Sequence, residues 1–219
     1  MKTSRLKSSA PAKSLAEQAY DTLGGMILGR QLSSGTFIVE ERLAHQLNVS
    51  RTPMREAILR LAAQGLLVRA GTRSYAVRTV SAAEFFQSHK VREWLEPEAI
   101  ELAAGKIPHA LVDDLCCQIR VLAGAEVQER AHWQIDDRLH TMFAEASGNL
   151  ILARIASDIR VTTRLFEISN AGRRVKKDGE EHLAILEAFQ SGDIKRARRA
   201  MVKHIRNLSA DTAAILQGL

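Results

Sequence analysis

Apolar residues recur at helical spacing through most of the chain, and short strand-like stretches occur only before residue 80. The first periodic segment begins at Ser14, a suitable N-cap, and places Leu15, Ala19, Leu23 and Ile27 on one face. An adjacent pair of glycines weakens this segment locally because glycine disfavours helix. The pattern therefore predicts a helix that starts at Ser14 and carries a flexible point near its end.

Two short helices separated by a tight turn are predicted next. Residues 36–39 indicate a short strand and residues 40–47 a short helix, after which Asn48 and Val49 favour a turn. The second helix begins at Ser50, and its apolar residues recur on one face. Arg51 and Arg55, four residues apart, share another face of it.

The segment after this helix has the pattern of a small hairpin. Residues 66–70 and 74–80 are strand-like and flank residues 71–73, which contain glycine and arginine. We predict a two-stranded wing with a basic tip. The N-terminal part is therefore expected to be a helix-turn-helix followed by a wing.

From Ser81 onward the period is helical throughout, and no segment favours a strand. Glycine or proline breaks near 105–108, 124, 148, 172 and 192 predict a bundle of six to seven helices. The expected fold is mainly α, with an N-terminal winged helix-turn-helix and a C-terminal all-helical bundle. The predicted units are a flexible basic tail at 1–13, the winged domain at 14–78, a linker at 79–80 and the bundle at 81–219.

Composition excludes several protein classes. The chain has 219 residues, 46% of them apolar, with four prolines and 13 glycines, which suffices for two modest domains with real cores. The adjacent cysteines Cys116 and Cys117 are unsuited to joining distant segments, as expected in a reducing compartment. There is no run of about 18 apolar residues and no signal-peptide pattern, so we expect a cytoplasmic protein without a membrane partner.

Charge is divided unevenly along the chain. Residues 1–78 hold 12 Lys or Arg against 5 Asp or Glu, a balance of +7, whereas residues 79–219 hold 19 against 20, a balance of −1. This asymmetry indicates a basic module for a polyanion, joined to a near-neutral module with another role.

The predicted second helix has the chemistry of a DNA-reading helix. Ser50 can cap it, and the free N–H groups of its first turn attract phosphate. Arg51 and Arg55 could pair with guanine edges or phosphates, and Thr52 could add a shorter hydrogen bond. Two arginines alone are more often the solvated face of an ordinary amphipathic helix, since charged faces are common. The charge asymmetry and the basic wing favour the DNA-binding interpretation.

The segment VSRTPMREAILRLAAQGLLVRAG resembles the signature of GntR-type bacterial repressors. The resemblance implies that Ser50, Arg51, Thr52 and Arg55 lie against operator DNA, and that Thr72 and Arg73 of the wing enter the minor groove. Two positions depart from the family. Glu41 stands where an arginine is frequent, so either Arg42 beside it substitutes or a phosphate contact is missing. Ser74 stands where the wing usually turns on glycine.

Four residues of the helical half could hold a metal ion. Asp136 and His140 are four apart and project from one helix face, and His182 and His204 lie on two later helices. One aspartate and three histidines suit Zn²⁺, and Ni²⁺ or Mn²⁺ are possible. By spacing alone, surface or hydrogen-bonded histidines are the usual explanation for such a pattern.

The stretches VREWLEPEAIELAA, DDRLHTMFAEASGN, EHLAILEAFQSGD and MVKHI resemble, in this order, the helical effector domain of the FadR-type branch of that family. The resemblance implies a metal held by Asp136, His140, His182 and His204, and a small polar effector. It also implies that Arg92 grips an effector carboxylate. The alternative for Arg92 is a surface ion pair with Glu96, four residues on.

Three other residues of this half have ordinary structural explanations. Asn149 is expected to cap a helix. Trp94 and Trp133 are expected to lie in the core.

Together these features predict a ligand-responsive transcriptional regulator, most simply a repressor and not an enzyme. A twofold homodimer would bind double-stranded operator DNA and respond to a small carboxylate. One alternative is a metal-dependent hydrolase that uses the Asp and three His residues to activate water. Another is a DNA-binding protein whose metal is only structural.

Overall fold

The computed structural model describes residues 13–72, 74–123, 130–169 and 174–218. Helices dominate these ranges, and three short strands form one sheet. The helices and strands are, in chain order, α1 (Leu15–Leu28), β1 (Phe37–Ile38), α2 (Glu40–Gln46), α3 (Arg51–Ala63), β2 (Leu67–Arg69), β3 (Tyr75–Val77), α4 (Ala82–Ala103), α5 (His109–Leu122), α6 (Arg130–Ala146), α7 (Leu150–Ser169), α8 (Val175–Gln190) and α9 (Ile194–Leu216).

The N-terminal helices and strands form a winged helix-turn-helix, as the pattern predicts. Ser14 caps α1 in a capping box with Glu17, and the helix continues through the glycine pair. The turn before α3 contains Asn48, whose φ of 51° is one that asparagine tolerates better than most residues. The sheet order is β1-β3-β2 with both pairs antiparallel, so β2 and β3 make the wing and β1 closes its other side.

One residue of this domain behaves differently from the expectation. Ser50 occupies the N-cap position of α3 with extended backbone, but its side chain makes no capping hydrogen bond. Its hydroxyl therefore remains available at the exposed end of α3.

The described residues of the C-terminal half form six helices, α4 to α9, joined by short turns and loops, and contain no strand, which agrees with the predicted bundle. Its core is aliphatic and lies among all six helices, with fully buried Ile100, Leu115, Leu139 and Ile185 near its centre. Asn149 accepts a hydrogen bond from the Leu152 amide and so caps α7, as expected. The Trp94 expectation was wrong, because this side chain is 63% exposed on α4.

The winged domain packs firmly against two helices of the bundle. Its core is continuous with Phe85 at the start of α4 and with Leu165, Phe166 and Ile168 near the end of α7. Hydrogen bonds also connect the winged domain to the end of α7. Arg30 donates to the Ser169 carbonyl at 3.2 Å, and the Ser34 and Ser169 hydroxyls are 3.1 Å apart. The end of α7 therefore serves as the seat of the winged domain.

Two smaller observations bear on the composition argument. Cys116 and Cys117 are both free thiols. None of the helices within the described ranges is long and apolar enough to cross a membrane.

The predicted tail at 1–13 falls outside the described residues except for Lys13.

Candidate metal centre and nucleic-acid interface

The four predicted metal ligands converge inside the bundle. α6 supplies Asp136 and His140 from successive turns, α8 supplies His182, and α9 supplies His204. One potential ligand atom from each lies within 4.8 Å of the others, and the three histidines are buried. Residues from three helices thus meet in one polar cluster inside the bundle.

The ring nitrogens that face one another have no hydrogen-bond partner. Nε2 of His140, His182 and His204 is buried and unsatisfied in each case. The nearest carboxylate atom, Asp136 Oδ1, lies 3.3 Å from His182 Nε2 and 3.5 Å from His140 Nε2. Leaving a buried polar group unsatisfied costs about 1–3 kcal/mol, so three such nitrogens side by side indicate a ligand-binding site. A divalent cation fits this donor set because neutral imidazole and carboxylate are its usual ligands.

A second layer of residues fixes the orientation of these ligands. His140 Nδ1 donates to Glu96, and His204 Nδ1 donates to Glu181 Oε2 at 2.8 Å. Because a carboxylate can only accept, the proton lies on Nδ1 and Nε2 presents its lone pair to the cluster. Burial lowers the pKa of His204 to about 3, which keeps its ring neutral and able to coordinate.

The carboxylate of the cluster is held in its charged form by two arginines of α7. Asp136 Oδ2 accepts from Arg160 at 2.7 Å and also from Arg164. Burial favours a raised pKa, but the two guanidiniums outweigh it and hold the pKa of Asp136 well below its usual range. Asp136 is therefore an anionic ligand at neutral pH.

Arg92 is buried beside this cluster. Its Nε donates to Glu96 Oε1 at 2.5 Å and its Nη1 to Thr163 Oγ1 at 3.4 Å, while Nη2 is buried without a partner. The ion pair with Glu96 thus exists, but both side chains are at most 5% exposed, so the surface-pair interpretation was wrong. Glu96 joins Arg92 on one oxygen and His140 on the other.

A cavity of about 70 Å³ lies beside both the metal cluster and Arg92. Arg92, Asp136 and His182 all line it, together with Arg174. Arg174 belongs to no recognisable sequence motif, and it pairs with Asp178, Glu181 and Asp211, so it is part of the same charged network. The rest of the wall is largely apolar and includes Ile119, Leu122, Trp133, Ile135, Phe166, Val175, Leu208 and Ile215.

The predicted DNA-contacting residues lie at the free surface of the winged domain. Arg51, Thr52 and Arg55 are exposed on the first turns of α3, and Arg42 is exposed on α2. Glu41, which departs from the family pattern, forms an ion pair with Arg51. On the wing, Thr72 is exposed, and Arg73 lies outside the described residues. The outer face of α3 is thus polar and unobstructed by other described parts of the chain.

Comparison with known proteins identifies both halves. The model for bacterial regulatory proteins of the gntR family matches residues 15–77, and the FCD domain model matches residues 87–207. The chain belongs to the GntR family. Within that family, it combines the DNA-binding domain with an FCD domain, the small-molecule-binding half of such regulators.

Curated relatives of this GntR protein are transcription regulators. The HTH-type transcriptional repressor RspR of Escherichia coli K12 is 23% identical over 94% of this chain and 92% of its own length. The Nta operon transcriptional regulator of Aminobacter aminovorans is 27% identical over 77% of this chain and 81% of its own. This GntR protein is thus a ligand-responsive, DNA-binding transcriptional regulator.

Solved structures support the fold. E. coli McbR/YncC has a TM-score of 0.76 and 20% identity, covering 94% of this chain and 99% of its own. The winged domain and the helical bundle thus recur together in that fold.

We predict that Glu96→Gln lowers the free energy of unfolding by about 3–5 kcal/mol, because it leaves the Arg92 guanidinium buried without its counter-charge. The matched control is Glu98→Gln on the same helix, whose pair with Arg198 is exposed and should change stability by less than about 0.5 kcal/mol. Urea unfolding followed by circular dichroism measures both. Equal effects of the two substitutions would show that the Glu96 link contributes nothing special.

Proposed function

We propose that this GntR protein represses transcription as a homodimer on a near-palindromic operator and releases DNA when a small carboxylate binds in the cavity of the FCD domain. In this proposal, residues 14–78 read the DNA and residues 81–219 bind effector and metal. Arg51, Thr52 and Arg55 meet base edges or phosphates, with Ser50, Arg42, Thr72 and Arg73 at the margins of the contact. The observation that carries the proposal is that Arg92 and two of the four metal ligands line one cavity.

The chemistry of the cavity supports a carboxylate effector. Arg92 has an unsatisfied Nη2, and a guanidinium offers paired N–H donors that match a carboxylate. A divalent cation, Zn²⁺ first and Ni²⁺ or Mn²⁺ otherwise, would be held by Asp136, His140, His182 and His204. When bound, it would add a positive charge at the cavity, which favours an anionic effector. The charged side chains in the cavity wall, Arg92, Asp136 and Arg174, favour a polar molecule over a long acyl chain.

Contacts between the cavity and the winged domain support a route for the signal. Phe166 and Glu167 of α7 line the cavity, and Phe166 stacks on Phe85 with ring centroids 4.5 Å apart. Both phenylalanines belong to the core that the winged domain shares. An effector that displaces this part of α7 changes the seat of the winged domain, provided that it binds one arrangement better than the other.

The proposal for DNA binding predicts a loss of affinity for Arg51→Ala. The probe is a duplex enriched from a randomised library by the wild-type protein, with binding followed by fluorescence anisotropy at fixed salt. Because a bidentate arginine contact contributes about 1–3 kcal/mol, affinity should fall by roughly 5- to 150-fold. The matched control is Arg60→Ala near the end of the same helix, where the guanidinium lies over the Tyr20 ring. Unchanged affinity of a folded Arg51→Ala protein would contradict the proposed reading helix.

The proposal for the metal predicts that His182→Ala loses bound Zn²⁺. The purified wild-type protein, loaded with Zn²⁺ and passed through a desalting column, should retain about one ion per chain, and the variant should retain about a tenth or less. The exposed His109 on α5 provides the control substitution, His109→Ala, which should leave the metal content unchanged. Elemental analysis of all three samples measures this. If His182→Ala retained a full equivalent, the four-residue site would be wrong.

A further inference from the structure

An acidic side chain, Glu41, lies at the surface that is proposed to face DNA. It is the second residue of α2, and its carboxylate forms an ion pair with Arg51, the first residue of α3. Both side chains are exposed, 76% for Glu41 and 67% for Arg51. The phosphates of DNA repel a carboxylate at this place, so it weakens binding unless it makes a favourable contact of its own.

The position of Glu41 at a helix end offers one structural explanation for it. Glu40 and Glu41 both lie in the first turn of α2, where a negative charge interacts favourably with the N-terminal end of the helix. Of these two residues, only Glu41 forms an ion pair with a residue of α3 within the described ranges. Stabilisation of α2 therefore applies to both glutamates, whereas the contact with α3 distinguishes Glu41.

The ion pair leaves hydrogen-bonding atoms free on both partners. One guanidinium nitrogen, Arg51 Nη2, donates to one carboxylate oxygen, Glu41 Oε1. Neither side chain makes another hydrogen bond within the described part of the chain. Glu41 Oε2 thus remains as an acceptor beside the Nε and Nη1 donors of Arg51. Together, the two side chains present donors and an acceptor next to each other at an exposed surface.

Base edges in the major groove offer the complementary pattern. Guanine presents two acceptors, N7 and O6, which suit the guanidinium, and cytosine presents the N4 amino group, which suits a carboxylate oxygen. A carboxylate has no proton to donate, so the carbonyl oxygens of guanine and thymine are unfavourable partners for it. Adenine also offers an amino group, but its N7 acceptor lies beside that group and repels a carboxylate. Cytosine is therefore the base that Glu41 fits best.

We propose that Glu41 and Arg51 read two neighbouring base pairs as a unit, with Arg51 on guanine and Glu41 Oε2 accepting from N4 of cytosine. The inference rests on the proposed reading of DNA by α3, and it assigns Glu41 as a residue that determines operator specificity. Successive bases of a strand are about 3.4 Å apart, and hydrogen-bonded side-chain atoms are about 3 Å apart. The spacing of the ion pair thus matches the spacing of the bases.

The first test compares base preferences. Wild-type protein, Glu41→Gln and Arg51→Ala each enrich duplexes from a randomised library, and each pool is sequenced. We expect the wild-type pool to contain, in each half-site, a guanine that Arg51→Ala does not select and a neighbouring cytosine. Because a glutamine amide can donate as well as accept, Glu41→Gln should keep the guanine but accept thymine in place of cytosine.

The sequenced pools also show whether Glu41 touches a base at all. If Glu41 only oriented Arg51, no cytosine would accompany the guanine, and Glu41→Gln would weaken the selection of guanine instead. That result, or an unchanged cytosine preference in the Glu41→Gln pool, would overturn the proposal.

Affinities quantify the same contact. Fluorescence anisotropy at fixed salt compares the enriched duplex with one in which a thymine–adenine pair replaces that cytosine–guanine pair. Because one mismatched base pair lowers affinity by roughly 5- to 150-fold, wild-type protein should prefer the cytosine duplex by that factor, and Glu41→Gln by less than about threefold.

Glu40→Gln is the matched control, because it removes one negative charge from the same turn of α2. It should retain the full preference for the cytosine duplex. If Glu40→Gln lost this preference as Glu41→Gln does, local charge alone would explain the effect, and the contact assigned to Glu41 would be wrong.

The wild-type pool separates this inference from the function. If wild-type protein enriches a duplex in which no cytosine depends on Glu41, the DNA-binding regulator stands and this inference is wrong. If wild-type protein enriches no duplex while its circular dichroism shows a folded helical protein, the proposed function is wrong and the inference is overturned with it.

Discussion

A single buried carboxylate connects the two chemical features of the helical half. Glu96 accepts from Arg92 on one oxygen and from His140 on the other. Burial favours a raised pKa for this group, but Arg92 and His140 outweigh it and hold the pKa of Glu96 well below its usual range. The charged group fixes the His140 ring with Nε2 toward the cluster and fixes Arg92 at the cavity wall. The geometry of the metal cluster and the position of Arg92 in the cavity wall therefore both depend on Glu96.

The same two helices contact both the cavity and the winged domain. α4 provides Arg92 and Glu96 in its middle and Phe85 at its start, and α7 provides cavity residues next to the seat of the winged domain. Rigid helices with packed aromatic contacts transmit small displacements because a close-packed core does not absorb them. This arrangement is the proposed route from the effector cavity to α3.

Much of the fold could be predicted from residue patterns, because helical period, caps and turn residues act locally. Ser14, Asn149 and the apolar positions of α3 behave as their sequence context predicts. The convergence of Asp136, His140, His182 and His204 was predicted by resemblance and not by spacing. Glu96 as a bridge and Arg174 as a cavity residue could not be predicted, since both depend on which helices become neighbours. The prediction for Trp94 was wrong, because apolar spacing along a helix does not show whether another helix packs over that position.

The most direct measurement is release of the enriched duplex during titration with mono-, di- and tricarboxylates, using Zn²⁺-loaded protein and fluorescence anisotropy. At least one small carboxylate should release the duplex from wild-type protein. Arg92→Lys, which keeps the charge beside Glu96 but loses the paired donors, should require at least about tenfold more of it. Release at the same concentration from both proteins, or no response to any carboxylate, would contradict the role assigned to the cavity.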